Sequence, residues 1–490
     1  MTIMFTKHSV HKARYAILFS AISSMLYLIP VSSFAGVPPA PTPSPGGSSL
    51  SLSGSGLTGN QIAAGATIDI LCPRNIVGAQ LQDRCNALID GRAQGSPPSK
   101  AGTGTAAGSV TDAQLSSILG SVTSEQTAAQ GTNAVEMANN QQGNIGARFA
   151  AIRQGRQGGL NISGLMLRDS HGNLLSKTEL DKLSSALNPL AAGDGSSVFD
   201  RLGIFVNGSI DIGDRNTTLN EIGFGVDQYG TTAGIDYRFT DNFIMGAAFG
   251  FQHADTEYAS SLGSMDSDSF SGSLYGTFYT DNGFYIDGIF SGSSLKYETR
   301  RNIEYTVSAG STVLDAVRTT AFGNNEGREY NASLNGGYNF NFGGLTLTPQ
   351  ARVEYINTQI DALNETGGRG WALHIDEQEI NSLTSALGGQ AAYPFSFTWG
   401  VLIPTLRAEW VHEFMNGNRT ITAHFMQDPS KTRFNILTDS PDRDFMYLGA
   451  GLSAQFTHGI SAFVNYETLL AHKFASNHSF TGGVRFELDF

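Results

Sequence analysis

From about Arg201 to the last residue, apolar and polar positions alternate with a period of two. Ile222, Phe224 and Val226 alternate with Gly223, Gly225 and Asp227, and Leu406, Ala408 and Trp410 with Arg407, Glu409 and Val411. Val484, Phe486, Leu488 and Phe490 alternate with Arg485, Glu487 and Asp489. Successive side chains of a strand point to opposite faces, so this pattern predicts strands with one apolar and one polar side. With the apolar side outward, Asp227, Glu409, Glu487 and Asp489 face a polar interior. Short turns stand at 240–242, 280–283, 341–344, around Trp399 and at 457–459. Longer polar connections lie near 214–219, 260–266, 301–325, 361–377, 415–443 and 472–477. Short and long connections alternate, which is the asymmetry of a bacterial outer-membrane barrel with short periplasmic turns and long external loops. Five turns and six loops join about twelve antiparallel strands, and both barrel ends then fall on the periplasmic side. Aromatic residues such as Phe239, Phe243, Tyr285, Phe340 and Phe397 sit near strand ends, where interfacial girdles belong.

Upstream the pattern changes. Lys7, Lys12 and Arg14 precede an apolar run from Tyr15 to Pro30, and Ser33-Phe34-Ala35 offers a small-x-small site. This predicts an export signal cut between Ala35 and Gly36. Val37 to Gly59 is rich in Pro, Gly and Ser and reads as a tether, and Gly91 to Gly108 as a second flexible stretch. Cys72 and Cys85 lie between them, and in an exported chain two cysteines so close are expected to pair. Thr123 and Gln126 form a candidate capping box at the start of a long helix running to about Gln154. Its side chains read as polar all round, so it suits water or a polar lumen rather than a core. Arg148, Arg153 and Arg156 gather near its C-terminus, and Arg148 and Arg153 are expected to meet lumen carboxylates. A shorter helix with Leu180, Leu183 and Leu187 on one face follows.

Composition narrows the class. The chain has 490 residues, 58 of them Gly, with a formal charge of −13 that argues against nucleic acid as a partner. Two cysteines exclude a disulfide-dense scaffold, and no His or Cys spacing suggests a metal site. A mean hydropathy of −0.13, with no later apolar run of ~18 residues, excludes a helical anchor beyond the export signal. The expected fold is therefore an all-β transmembrane β-barrel of about twelve antiparallel strands. An N-terminal, mainly helical or disordered region and a pore helix precede it. The expected segments are 1–35 signal, 36–122 short exported region, 123–155 pore helix, 156–198 connector and 199–490 barrel.

Several segments resemble the translocator barrel of autotransporter proteins, the type V secretion family. These are Arg201-Leu-Gly-Ile-Phe-Val-Asn-Gly-Ser209, Leu406-Arg-Ala-Glu-Trp-Val-His-Glu-Phe414, Phe445-Met-Tyr-Leu-Gly-Ala-Gly-Leu-Ser453 and the ending Gly483-Val-Arg-Phe-Glu-Leu-Asp-Phe490. The resemblance implies a barrel set in outer-membrane lipid by the barrel assembly machinery with periplasmic chaperones. Val484, Phe486, Leu488 and Phe490 would be its assembly signature. It also implies a helix through the pore and an N-terminal passenger delivered to the surface of a Gram-negative cell, there to meet an unidentified ligand. No cofactor is implied. Two features depart from the family pattern: the passenger is short and lacks repeats, and the 160–197 connector is long.

The chemistry considered is mostly negative. Asn139-Asn140 resembles the self-cleavage pair of some family members, but lies about one helical turn too far from Arg148-x4-Arg153. No Gly-Asp-Ser-Leu or Gly-x-Ser-x-Gly nucleophile motif occurs. His253 with Asp255, and His374 with Asp376, each share a strand face and would suit a rim hydrolase, though no nucleophile accompanies them. An anchoring and exporting barrel is therefore the leading expectation. A porin-like or structural barrel and a rim protease or phospholipase are the alternatives.

Overall fold

The computed structural model describes residues 52, 54–92, 110–154, 161–163, 201–309, 311–456 and 460–487. Ala35 and Gly36, the leucine-striped segment near Leu183, Leu488, Asp489 and Phe490 lie outside them.

Twelve antiparallel strands form the barrel: β1 (Leu202–Arg215), β2 (Phe224–Thr240), β3 (Phe243–Tyr258), β4 (Gly263–Tyr279), β5 (Phe284–Ala309) and β6 (Thr312–Tyr338), then β7 (Leu345–Ile360), β8 (Gln378–Ala392), β9 (Gly400–Glu413), β10 (Asp444–Phe456), β11 (Ile460–Leu470) and β12 (Ala475–Glu487). Each pairs with its neighbours, and β1 closes on β12 from Gly208 opposite Gly482 to Arg215 opposite Ala475. Closure removes the unpaired edge that a sheet in lipid cannot tolerate. The all-β, twelve-stranded expectation holds. Asn161–Ser163 wedges into the seam, parallel to β1 and antiparallel to β12, with Ile162 opposite both Ile204 and Phe486. The turn between β4 and β5 closes on Gly283, whose φ of +100° lies in the left-handed region that favours glycine.

One expected loop is a hairpin. The stretch 301–325 forms the upper halves of β5 and β6, strands of 26 and 27 residues. Crossing a bilayer takes about 9–11 residues, so this hairpin rises far above the membrane. Its sequence looks like a loop because only its inner face is apolar. Ile303, Tyr305 and Val307 are buried, and the residues between them are polar.

The same effect corrects a face assignment. Along β2 the parity of inward positions never changes, but their character does. At the loop end Phe224 and Val226 face inward and Asp227 is exposed; further down Thr232 and Asp236 are buried and Ile235 faces out. Where lipid surrounds the wall, apolar residues face out; above it, they turn to the packed interior and polar residues meet water. Asp227 is thus an outer-wall residue. Glu409 is inward and buried, with Leu406 and Trp410 outside. Tyr285 also departs from the girdle: it is fully buried inside, while Phe239, Phe340 and Phe397 are exposed.

Among the described residues, three helices precede the pore helix: α1 (Gly59–Leu71), α2 (Ala79–Arg92) and α3 (Asp112–Thr123). Thr58 caps α1 and Thr111 caps α3, each in a capping box with Gln three residues on. Each helix buries one stripe at helical spacing: Ala64, Ile68 and Leu71; Leu81, Cys85 and Leu88; Leu115, Leu119 and Val122. The tether is accordingly shorter than its composition suggests, since Leu52 is buried and Gly59 opens α1. Gly91 is no linker either. It lies in α2, where a Cβ would overlap Val307 of β5.

Candidate functional site

The helices do not stand apart from the barrel. Their stripes share one core with the β5–β6 hairpin (Ile303, Val307, Val317), with the 361–377 loop (Leu363, Trp371, Leu373, Ile375) and with the 414–443 loop (Ile421, Phe425, Phe434, Ile436). The two loops are held by a small four-stranded sheet, Leu363–Asn364, Leu373–Ile375, Thr420–Phe425 and Phe434–Leu437. Polar contacts fix the register of this cap. Asn60 donates to Leu437 O at 3.1 Å and accepts from Leu437 N at 2.7 Å, replacing a strand partner. The Arg301 guanidinium, fully inside, reaches Glu365 Oε1 at 2.9 Å, Ser121 O at 2.8 Å and Trp371 O at 2.8 Å. It thereby ties the end of α3 to the 361–377 loop. Cys72 and Cys85 form a disulfide between the end of α1 and α2, with Cα atoms 5.5 Å apart.

The chain then turns down into the barrel. Ser124 takes a left-handed conformation (φ +60°), a single 3-10 turn covers Glu125–Thr127, and α4 runs Ala128–Gln154. This corrects the expected start. Thr123 is the last residue of α3 and its hydroxyl bonds back to Leu119 O, so no capping box forms there. Glu125 sits at this bend near Glu221 and Asp439. Burial pushes its carboxyl up to about 7; hydrogen bonds with Asn60 and Thr58 oppose the rise and the two neighbouring carboxylates add to it.

The 27 residues of α4 span about 40 Å, enough to cross the hydrocarbon layer. Its contacts descend the wall in order. Gln130 donates to Asn325 (2.9 Å), Asn133 to Thr256 (2.8 Å), Gln141 to Ser273 (3.1 Å) and Asn144 to Thr232 (3.1 Å). Arg148 grips Asp236 and Arg153 grips Asp287 at 2.7 Å. The guanidinium of Arg153 also lies 3.9 Å from the ring centre of Tyr285, which explains that tyrosine's inward position. The arginines therefore meet carboxylates other than those named from the pattern. Glu409 is taken by Arg352 and Arg407, Asp227 lies outside, and Asp489 is outside the described residues, as is the Glu487 side chain.

The helix is not polar all round. Ala129, Ala134 and Met137 pack on Phe224, Val226 and Tyr297 at the loop end, and Ile145, Phe149 and Ile152 on Phe205, Ile244 and Tyr275 below. These short apolar patches escape notice in sequence because asparagines and glutamines interrupt them. The helix leans on one side of the lumen. On the other side is a cavity of about 540 Å³ lined by Glu136, Arg352, Glu409, Tyr447 and Glu467. Asn139 and Asn140 border this cavity, and Asn140 donates to Asp211 at 2.8 Å.

The two rim pairs differ. His253 sits on the outer wall between Asp255 (3.2 Å) and Asp268 (2.7 Å). His374 and Asp376 lie in the cap, where the fold brings His424 to them, a grouping no local spacing reveals.

A family model described as the autotransporter beta-domain matches residues 204–467, more than half of the chain. The chain belongs to the autotransporter family. This autotransporter is 24% identical over 259 residues to the putative uncharacterized protein YaiT of Escherichia coli strain K12, covering 52% of its own length and 24% of that protein. It is 23% identical over 273 residues to outer membrane protein B of Rickettsia prowazekii, covering 52% and 16%. It thus spans a quarter or less of these relatives. Among solved structures, the translocator domain of NalP from Neisseria meningitidis aligns with a TM-score of 0.45 and 18% identity over 64% of this chain and 95% of that one. The β-domain of the Bordetella autotransporter Brka aligns with a TM-score of 0.42 and 18% identity over 59% and 100%. The autotransporter barrel described above is an outer-membrane barrel.

Proposed function

We propose that this autotransporter barrel carries its own N-terminal region to the cell surface and keeps it there as a folded cap over a plugged pore. The observation that carries the reading is continuous: α4 passes through the lumen with its N-terminus at the loop end, and α1 to α3 share a core with those loops. Loops of outer-membrane barrels face outward and short turns face the periplasm, which supports an outer-surface position for the cap. The exported cargo is then retained rather than released, and what it displays is the outer surface of the cap.

The test uses Ile76, an exposed residue beside α2, as a reporter. The native cysteines pair with each other, so Ile76→Cys supplies the only free thiol among the described residues. On intact cells a membrane-impermeant maleimide should label this variant, and the label should migrate with the uncut chain that carries both cap and barrel. Labelling only after permeabilisation, or label on a shed fragment, overturns the reading.

A further inference from the structure

The small sheet in the cap has two faces. Leu373, Ile375, Ala423 and Phe425 enter the shared core. His374 and His424, at alternate positions, lie on the other side and are direct cross-strand partners, their ring centres 4.6 Å apart. One nitrogen of each imidazole and one oxygen of Asp376 lie within 4.8 Å of one another.

Hydrogen bonding leaves polar atoms of this cluster to be accounted for. His374 Nδ1 stands 2.6 Å from Asn364 Oδ1 and therefore carries the hydrogen. Its Nε2 lies 3.2 Å from Asp376 Oδ1. A nitrogen and a carboxylate oxygen this close need a positive centre between them, either a proton or a metal ion. His424 adds an independent sign. It is only 7% exposed, and its Nδ1 is buried without a hydrogen-bond partner. Buried polar atoms are nearly always partnered, so this imidazole awaits something.

We propose that His374, Asp376 and His424 bind a divalent transition-metal ion, with Zn(II) as the reference ion, and that the ion clamps the 361–377 loop to the 420–437 hairpin. Two imidazoles and a carboxylate are a zinc donor set, whereas Ca²⁺ and Mg²⁺ prefer oxygen alone. Ligand atoms around a tetrahedral ion at ~2.0–2.1 Å stand roughly 3.3 Å apart, so the three side chains need only draw together by an ångström or so. His374 and Asp376 are partly exposed and have the room to do this, which also leaves a fourth position to water. Asn364 fills the outer role usual for such sites, holding the tautomer that frees Nε2. Arg433 lies 3.4 Å from the other oxygen of Asp376 and, being exposed, orients that carboxylate from the solvent side.

The experiment is a titration of the folded, tag-free full-length protein in detergent with ZnCl2 by calorimetry, and with CoCl2 by visible absorption. One ion per chain should bind, with the absorption bands of four-coordinate cobalt. His424→Ala and Asp376→Asn should each weaken binding about tenfold or more, and Asn364→Ala by a smaller factor. Saturating zinc should raise the melting temperature of the wild-type cap but not that of His424→Ala. Asp376 is at the surface, so Asp376→Asn remains a usable variant even if the histidine substitution misfolds. Absence of binding to wild type, or equal binding by wild type and Asp376→Asn, overturns the proposal; the positive centre is then a proton.

Discussion

Arg148 and Asp236 hold each other at two points inside the barrel, Nε to Oδ2 at 2.7 Å and Nη2 to Oδ1 at 2.9 Å, with both side chains buried. The Tyr275 hydroxyl donates to the same carboxylate at 2.9 Å. Gly203 makes the room, because a Cβ there would overlap both Arg148 and Asp236. Removing one partner strands a buried charge, at a cost of about 3–5 kcal/mol. Arg148→Ala should therefore lower the urea midpoint of the folded, heat-modifiable form markedly. Arg148→Met with Asp236→Leu should recover much of the loss, and Gly203→Ala should resemble Arg148→Ala. A double variant as weak as the single one would mean that the pair does more than balance charge.

The plug predicts an electrical phenotype. A chain lacking the residues before Ala147 should fold as a barrel and show a larger single-channel conductance in planar bilayers. The full-length protein should conduct little, its remaining path being the cavity beside α4. Equal conductance would place the helix elsewhere.

Glu125 predicts a pH dependence of the cap. Its folded value, about 7, lies above the ordinary 4.5, so the folded state holds the proton more tightly than the unfolded chain. The resulting stabilisation is complete below pH ~4.5 and is lost as pH rises through about 7. Burial shifts Glu221 the same way. Hydrogen-exchange protection of α1 to α3 should thus be greater at pH 5 than at pH 8. Glu125→Gln should flatten the difference and stabilise the cap at pH 8 by roughly 3 kcal/mol at most. A wild-type cap equally protected at both pH values would contradict the assignment.

The disulfide should act on the cap alone. Cys72 and Cys85 close a loop 13 residues long, a constraint of about 3 kcal/mol on the unfolded chain. Cys72→Ser with Cys85→Ser should speed proteolysis within α1 and α2 while the barrel's melting behaviour stays as it was.

The barrel was legible because its signal is local. Leu406 and Trp410 outside with Glu409 inside follow from a period of two, and strand number follows from alternating connection lengths. Legibility failed where surroundings change along one strand. Phe224 shares the inward parity of Asp236, and Asp227 the outward parity of Ile235, but water replaces lipid outside the upper wall, and the sequence carries no mark of that boundary. The partners of Arg148 and Arg153 were not readable for a related reason. Any inward carboxylate at the right depth would serve, and depth depends on how strands stagger around the barrel. The His374–His424 pairing needed the fold itself, since the strands that align them belong to different loops.

The shared core of the cap bears on how this barrel can be used. Trp371, Ile421 and Phe425 share one core with Leu81, Leu115 and Ile68, so cargo and gate are one hydrophobic object rather than a payload on an interchangeable platform. A foreign sequence put in place of residues 52–123 would leave an oily crater on the outer rim, of the kind that makes cells clump. Grafts placed ahead of Leu52 keep the crater filled. For display engineering, the native helices are part of the vehicle.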